Sequence, residues 1–333
     1  MTSVKPLGAF LVMLFSILGC EPASSQQSDE ARRSGTLDGP TGLFKVWDAE
    51  PLYPSEANFS IGVNHYHRDP GEFSIITYPV SAAIGIFRNF EVFGAWDVQK
   101  HIEAPGIQTY RVLPGQLPLP ATTRLGVVSF TSEALFIDVP EATGRANLLG
   151  GAKYAFLSEE AGRPFGLAGV FMGTMETNNS ATGQNRGLSS SLLKGGFGAL
   201  VSKRVQRRAQ VHANFLVNLV RSPRDRPEEF HVDIGHEFIY RAGAAFPVRG
   251  IFHFIVELDV KVYAGDRDVG LNPQNPVDLI LGLRLYPKSG LSCAAGYRAS
   301  LNHINEDPAN LVFASGTHGF VLQVAFGIRR ATP

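Results

Sequence analysis

The sequence holds little that would fix a fold covalently or draw it to a charged partner. Two cysteines in 333 residues cannot staple a chain of this length, which excludes a disulfide scaffold. Lys and Arg total 30, as do Asp and Glu. With no basic excess there is no counterion release to drive nucleic-acid binding, so no nucleic-acid partner is expected. Only 18% of residues are charged and 44% are hydrophobic, which excludes a disordered polymer. Catalytic signatures are missing as well: there is no G-x-S-x-G elbow, P-loop, H-E-x-x-H pair or dinucleotide fingerprint. No enzyme, cofactor or resident metal is therefore expected.

A run able to cross a bilayer as a helix is also lacking. The longest apolar stretch, Leu7 to Leu18, is about a dozen residues, against the roughly 20 that a spanning helix needs. With Lys5 before it, this stretch has the form of an export signal over residues 1–19. Ile17-Leu18-Gly19-Cys20 resembles a lipobox that would leave Cys20 acylated, and Ala23-Ser24-Ser25 offers an ordinary cleavage site instead. Residues 20–56 read as a polar tether and a lead-in to the folded part.

What the sequence has in quantity is alternation. In 251–264, Phe252, Phe254, Val256, Leu258, Val260 and Val262 fall on one side, and His253, Glu257, Asp259 and Lys261 on the other. A helix would spread those charges round its circumference; a strand segregates them. The same period gives twelve strands: 57–67, 73–86, 90–100, 148–158, 165–176, 192–203, 209–221, 230–245, 251–264, 276–287, 290–302 and 318–329. Most exceed the usual five or six residues of soluble sheets and match a tilted membrane strand.

The connections alternate too. Those at 87–89, 159–164, 205–208, 246–250 and 287–290 are short, whereas 101–147, 177–191, 222–229, 265–275 and 303–317 are longer; only 68–72 breaks the pattern. Short turns at one end and long loops at the other describe an all-β, antiparallel up-and-down transmembrane barrel over 57–329, located in a bacterial outer membrane. Its expected partners are outer-membrane lipid and the barrel insertion machinery. The 101–147 loop is long enough to fold inward, or to add a hairpin through 125–130 and 134–139 that would raise the count to fourteen strands. A soluble β-sandwich would alternate as well, but with shorter strands and no alternation in turn length.

Several phrases carry a resemblance. Gly39-Pro40-Thr41-Gly42-Leu43-Phe44-Lys45-Val46, the loop Arg68-Asp69-Pro70-Gly71-Glu72, Glu91-Val92-Phe93-Gly94, and Gly151-Ala152-Lys153-Tyr154 with Leu157-Ser158-Glu159-Glu160 resemble bacterial outer-membrane β-barrels of the outer-membrane-protein-A-like and porin-like kind. The resemblance spans roughly 39–329 and implies a barrel with nothing catalytic. With residue 329 expected to close the twelfth strand, the peptidoglycan-binding domain that the first kind often carries is not expected.

Taking the polar face as inward, the lumen would hold Glu91, Asp97, Asp233, Glu237, Glu257, Asp259 and Asp278 with Lys153, Lys194, Arg241, Lys261, Arg284, Arg298 and Arg329. A selective pore shows rings of one sign; balance points to a paired network. The expected function is a narrow, weakly selective pore for small solutes, or else a closed structural or surface-interaction barrel. An outward His236 leaves a lipid-face hydrolase as a third reading, without a serine beside it. Asp266 to Gly270 opens like a calcium loop, but Val277 stands where an EF-hand needs Glu. His65 and His67 share a face near the outer rim, and two ligands alone make no metal site.

Overall fold

A computed structural model describes residues 33–68, 73–103, 127–128, 136–137, 141–177, 188, 193–205, 208–221, 235–247, 251–264, 275–288, 290–301 and 318–328. The strands, in chain order, are β1 (Ala57–Arg68), β2 (Phe73–Phe87), β3 (Phe90–Glu103), β4 (Val127–Val128), β5 (Phe136–Ile137), β6 (Glu141–Gly144), β7 (Asn147–Leu157), β8 (Gly166–Glu176), β9 (Leu193–Val205), β10 (Ala209–Arg221), β11 (His236–Phe246), β12 (Phe252–Ala264), β13 (Val277–Lys288), β14 (Leu291–Ser300) and β15 (His318–Ile328). Every ring neighbour is antiparallel, and β1 pairs with both β2 and β15, which closes the sheet. The ring runs β1–β2–β3–β7 and then in sequence through β15, twelve strands in all.

Closure has a physical cause. Lipid offers no partner for a backbone N–H or C=O, so a membrane sheet can have no free edge. The outer face fits that environment. Ile61, Phe87, Phe156, Phe171, Phe197, Leu219, Phe254, Leu281, Tyr297 and Phe326 are all exposed, from strands right round the ring. A belt of that extent far exceeds the apolar patches tolerated on a soluble monomer. Between these side chains the inward ones are buried, as where Phe252, Phe254 and Val256 alternate with His253, Ile255 and Glu257.

The fourteen-strand alternative is resolved by length. A hairpin does form within the long connection, β4 with β5, but its two strands pair only with each other, as a separate sheet. Two residues per strand fall far short of the roughly 9–11 that crossing requires. One further short strand, β6, pairs with Lys100–Glu103 at the long-connection end of β3. Of the expected strand 230–245, β11 covers the part from His236; Phe230, Val232 and Ile234 lie outside the described residues.

The largest departure from the sequence reading concerns residues 33–56. Rather than hanging free as a tether, they run inside the ring in its short-turn half. Leu37, Leu43, Phe44, Val46, Trp47, Ala49 and Leu52 are all buried. Two apolar clusters form around them. Trp47, Ala49 and Leu52 pack with Phe93, Met172, Leu200, Leu216 and Ile239. Leu37, Leu43, Phe44 and Val46 pack with Ala245, Ile255, Ile280 and Val321. Space for the Phe44 ring comes from two inward glycines on adjacent strands, Gly282 and Gly296. A Cβ at Gly282 would stand 2.5 Å from the ring, and one at Gly296 3.2 Å. The ring is thus not a hollow cylinder, because its core is its own N-terminal segment.

An outward cation at mid-strand tests the lipid-facing assignment. Leu281→Arg is expected to lower the stability of the barrel in vesicles by about 2–4 kcal/mol, read from denaturant unfolding. A change near zero would place Leu281 in water.

Candidate functional site

The inserted segment has no regular secondary structure, so its backbone groups need partners that a ladder does not provide. Some come from turns and isolated bridges within the segment, such as Leu37 N–H to the Phe44 carbonyl and Asp48 N–H to the Thr41 carbonyl, and inward side chains provide the others. Glu257 accepts from the Phe44 N–H at 2.5 Å and the Lys45 N–H at 3.0 Å. Arg284 donates to the carbonyls of Gly42 and Leu43, both at 2.9 Å. Asn214 clasps Trp47 from both sides, accepting from its N–H at 2.7 Å and donating to its carbonyl at 2.8 Å. Ser202 accepts from the Ala49 N–H at 2.8 Å, and Glu91 from the Leu52 N–H at 2.9 Å. Lys153 donates to the hydroxyl of Thr41 and to the carbonyls of Asp48 and Glu50 while pairing with Glu91 at 3.1 Å. Glu91 and Lys153 are both fully buried. Such a pair persists only with further hydrogen bonds around it, and the segment supplies them.

Asp48 is the segment's own charged anchor. It takes a hydrogen bond from Gln210 at 3.0 Å and lies 3.6 Å from His212. Burial pushes its pKa up, but His212, Arg33 and Lys153 outweigh burial and hold it at about 2, below its ordinary 3.8. At the short-turn rim Arg33 bonds Glu160 and donates to the Pro51 carbonyl at 2.7 Å.

On the long-connection side of the segment lies a cavity of about 210 Å³. Its floor is the segment itself, through Asp38, Lys45 and Trp47, and Asp97, Lys100 and Lys261 are among its walls. Several wall charges form pairs. Lys194 meets Glu237 at 2.9 Å, Arg241 bridges Asp38 at 2.9 Å and Asp259 at 3.2 Å, and Arg298 bonds Asp278. Arg298 also stacks over Tyr66, and Arg241 over Trp47. Neither sign dominates the walls.

Twelve of the fourteen lumen charges expected from sequence are described, and all twelve point inward. The structure divides them into two sets. Glu91, Lys153, Glu257 and Arg284 are sockets for the inserted segment, whereas Asp97, Lys194, Glu237, Arg241, Asp259, Lys261, Asp278 and Arg298 line the cavity. Asp233, Arg329 and Cys20 lie outside the described residues. Sequence reasoning missed Asp38, Lys45, Asp48, Ser202, Gln210, His212 and Asn214. A signal was present in Leu43-Phe44-Lys45-Val46-Trp47, which is too apolar for a segment left in water. His236 is exposed on the outer face, where its Nδ1 accepts from the Val220 N–H at 3.4 Å. Among the described residues no serine hydroxyl is bonded to it. Two serine–histidine contacts occur among the described residues, and neither involves His236: Ser202 to His212 Nδ1 at 2.8 Å, which is inside and serves the segment, and Ser74 to His65 Nε2 at 2.9 Å, on the outer face.

No protein-family model matches the sequence, and no curated protein does. Solved structures do. An outer-membrane channel from Pseudomonas putida F1 aligns over 84% of this chain and 97% of its own, with a TM-score of 0.56 and 11% identity. The translocator domain of the autotransporter NalP from Neisseria meningitidis covers 83% of this chain and 88% of its own at a TM-score of 0.44 and 12% identity. The KdgM porin covers 80% and 98% at 0.40 and 8%. Of these three, the first reaches a score that argues for a shared fold.

Two experiments test the socket description. Glu91→Leu strands a buried ammonium and is expected to cost roughly 3–5 kcal/mol, while adding Lys153→Met should recover part of that loss; equal losses in both variants would mean that the pair is not coupled. Asp48 adds stability that is complete above about pH 4 and disappears as the pH falls through about 2. Trp47 emission is therefore expected to shift to the red below pH 4, and an unchanged spectrum at pH 2 would contradict this.

Proposed function

We propose that this chain is an outer-membrane pore for small polar solutes, narrowed by its own N-terminal segment. The observation that carries the reading is the cavity of about 210 Å³, walled by charges of both signs and floored by Asp38, Lys45 and Trp47. A lumen built only for stability would be filled to native density, by apolar side chains or by paired charges. This one keeps a polar chamber on the long-connection side and concentrates its apolar packing around the segment. Of the two kinds of barrel that the phrase Gly39–Val46 resembles, the porin-like kind agrees better with such a chamber. The shared fold with a channel of Pseudomonas putida supports the reading.

Balance of charge sets the expected selectivity. Where acids and bases pair across the walls, neither cations nor anions gain a continuous ladder, so discrimination rests on size and polarity. Export by the leader at 1–19, with or without acylation at Cys20, and insertion into outer-membrane lipid by the barrel insertion machinery belong to the same proposal.

A second reading, a barrel that stays closed and serves structure or surface interaction, is favoured by the seating of the segment. Planar-bilayer recording separates the two. Folded protein is expected to give small single-channel steps with weak ion preference. Deleting 33–52 should raise conductance several-fold, as should Phe44→Ala with Trp47→Ala, which keeps the sockets occupied. Silence from wild type and from both variants, with folding confirmed by heat-modifiable gel migration, would overturn the pore and leave the closed barrel.

A further inference from the structure

The outer face of the barrel is apolar along most of β1, where Phe59, Ile61 and Val63 point outward. Toward the long-connection end that pattern stops. The next two outward positions are His65 and His67, two residues apart and hence on one face. The register between β1 and β15 sets Tyr66 opposite Gly319, which brings His318 opposite His67. The rings of His65 and His67 have centroids 4.8 Å apart, and those of His67 and His318 5.4 Å. On the other flank His67 pairs with Ser74, and Ser74 with Glu103. Glu103 in turn lies 3.0 Å from the His101 ring.

One nitrogen in this group is out of place for a purely structural role. His65 Nε2 shares a hydrogen bond with Ser74 Oγ at 2.9 Å, while its Nδ1 is buried and bonded to nothing. A buried polar atom without a partner costs about 1–3 kcal/mol, and the barrel core makes no use of this ring. In the tautomer that gives the Nε2 proton to Ser74, Nδ1 carries a bare lone pair, on a ring that packs against His67 and Phe320. That is the second-contact arrangement that fixes the tautomer of a metal-bound histidine.

We propose that His65, His67 and His318 form a surface site for one borderline divalent cation, zinc being the type case, with Ser74 orienting His65. Neutral imidazoles suit zinc, copper and nickel. At metal–nitrogen distances of about 2.0–2.1 Å, two rings on one metal have centroids roughly 5 Å apart, close to the spacings of both pairs. As the side chains stand, no three such groups among the described residues converge on one point. Closing the site takes rotation of the His318 ring, which is exposed at the first residue of its strand. An anion such as a phosphate would need protonated rings, so at neutral pH the cation is favoured. The site faces away from the lumen and does not depend on the pore reading.

The test uses folded full-length protein in detergent, carrying no histidine tag, titrated calorimetrically with zinc chloride and by electron paramagnetic resonance with copper(II). One zinc per barrel is expected, with nitrogen hyperfine structure on copper. His67→Ala and His318→Ala should each weaken zinc affinity about tenfold or more, as should Ser74→Ala through the orientation of His65. His236→Ala, an exposed histidine elsewhere on the outer face, should leave affinity unchanged. Binding should weaken on acidification, because a protonated imidazole has no lone pair for a metal. Heat-modifiable migration confirms that each variant is folded. No saturable binding, or binding that survives the double change at His67 and His318, would overturn the site.

Discussion

The constraint on which this structure rests is the need of every backbone N–H and C=O for a partner where water is excluded. It acts twice. In the bilayer it forces the twelve strands to close, β1 onto β15, because an open edge cannot be hydrated there. Inside the ring it governs the segment 33–56, which lies within a packed interior but has no ladder of its own. The first need is met by neighbouring strands. The second is met partly by the segment's own turns and two isolated bridges and otherwise by side chains that would be expensive to bury alone, such as Glu91, Lys153, Glu257 and Arg284.

This changes how the lumen charges are understood. A charge balance in a barrel suggests a network that satisfies only itself. Here the short-turn half of the network is completed by backbone dipoles of the inserted segment, so it is whole only when the segment is seated. The long-connection half pairs across its own walls around an open chamber, and through Arg241 and Asp259 it also holds Asp38 and Lys45 of the segment. Segment and chamber are therefore linked: removing the segment would open the lumen and also leave its sockets unpaired. The glycines at 282 and 296, which leave room for Phe44, show the same adjustment of wall to insert.

Much of the ring was legible because alternation is a local property. Phe254 and Glu257 reveal their faces through the residues beside them, and strand ends follow where the pattern breaks. The hairpin at 127–137 was harder: its apolar patches gave the pairing, but nothing in them excluded a longer strand. The socket residues were the least legible. Asn214 and Ser202 look like ordinary inward polar residues until the chain that they bind is placed beside them, and that contact spans more than 150 positions in sequence. Lys45 and Asp48 sat in a stretch whose polar beginning suggested a tether, although Phe44, Val46 and Trp47 around them argued for burial. The third histidine of the outer rim was hidden for the same reason, since His318 reaches His67 only through closure of the ring.

Hydrogen exchange of the folded protein tests the central claim most directly. The amides of Phe44, Lys45, Trp47, Ala49 and Leu52 should be protected as strongly as those of the barrel strands, and Glu257→Ala should release Phe44 and Lys45 first. Exchange of all five at the rate of an unstructured chain, within a ring that stays protected, would mean that the segment does not occupy the lumen, and the account would fail.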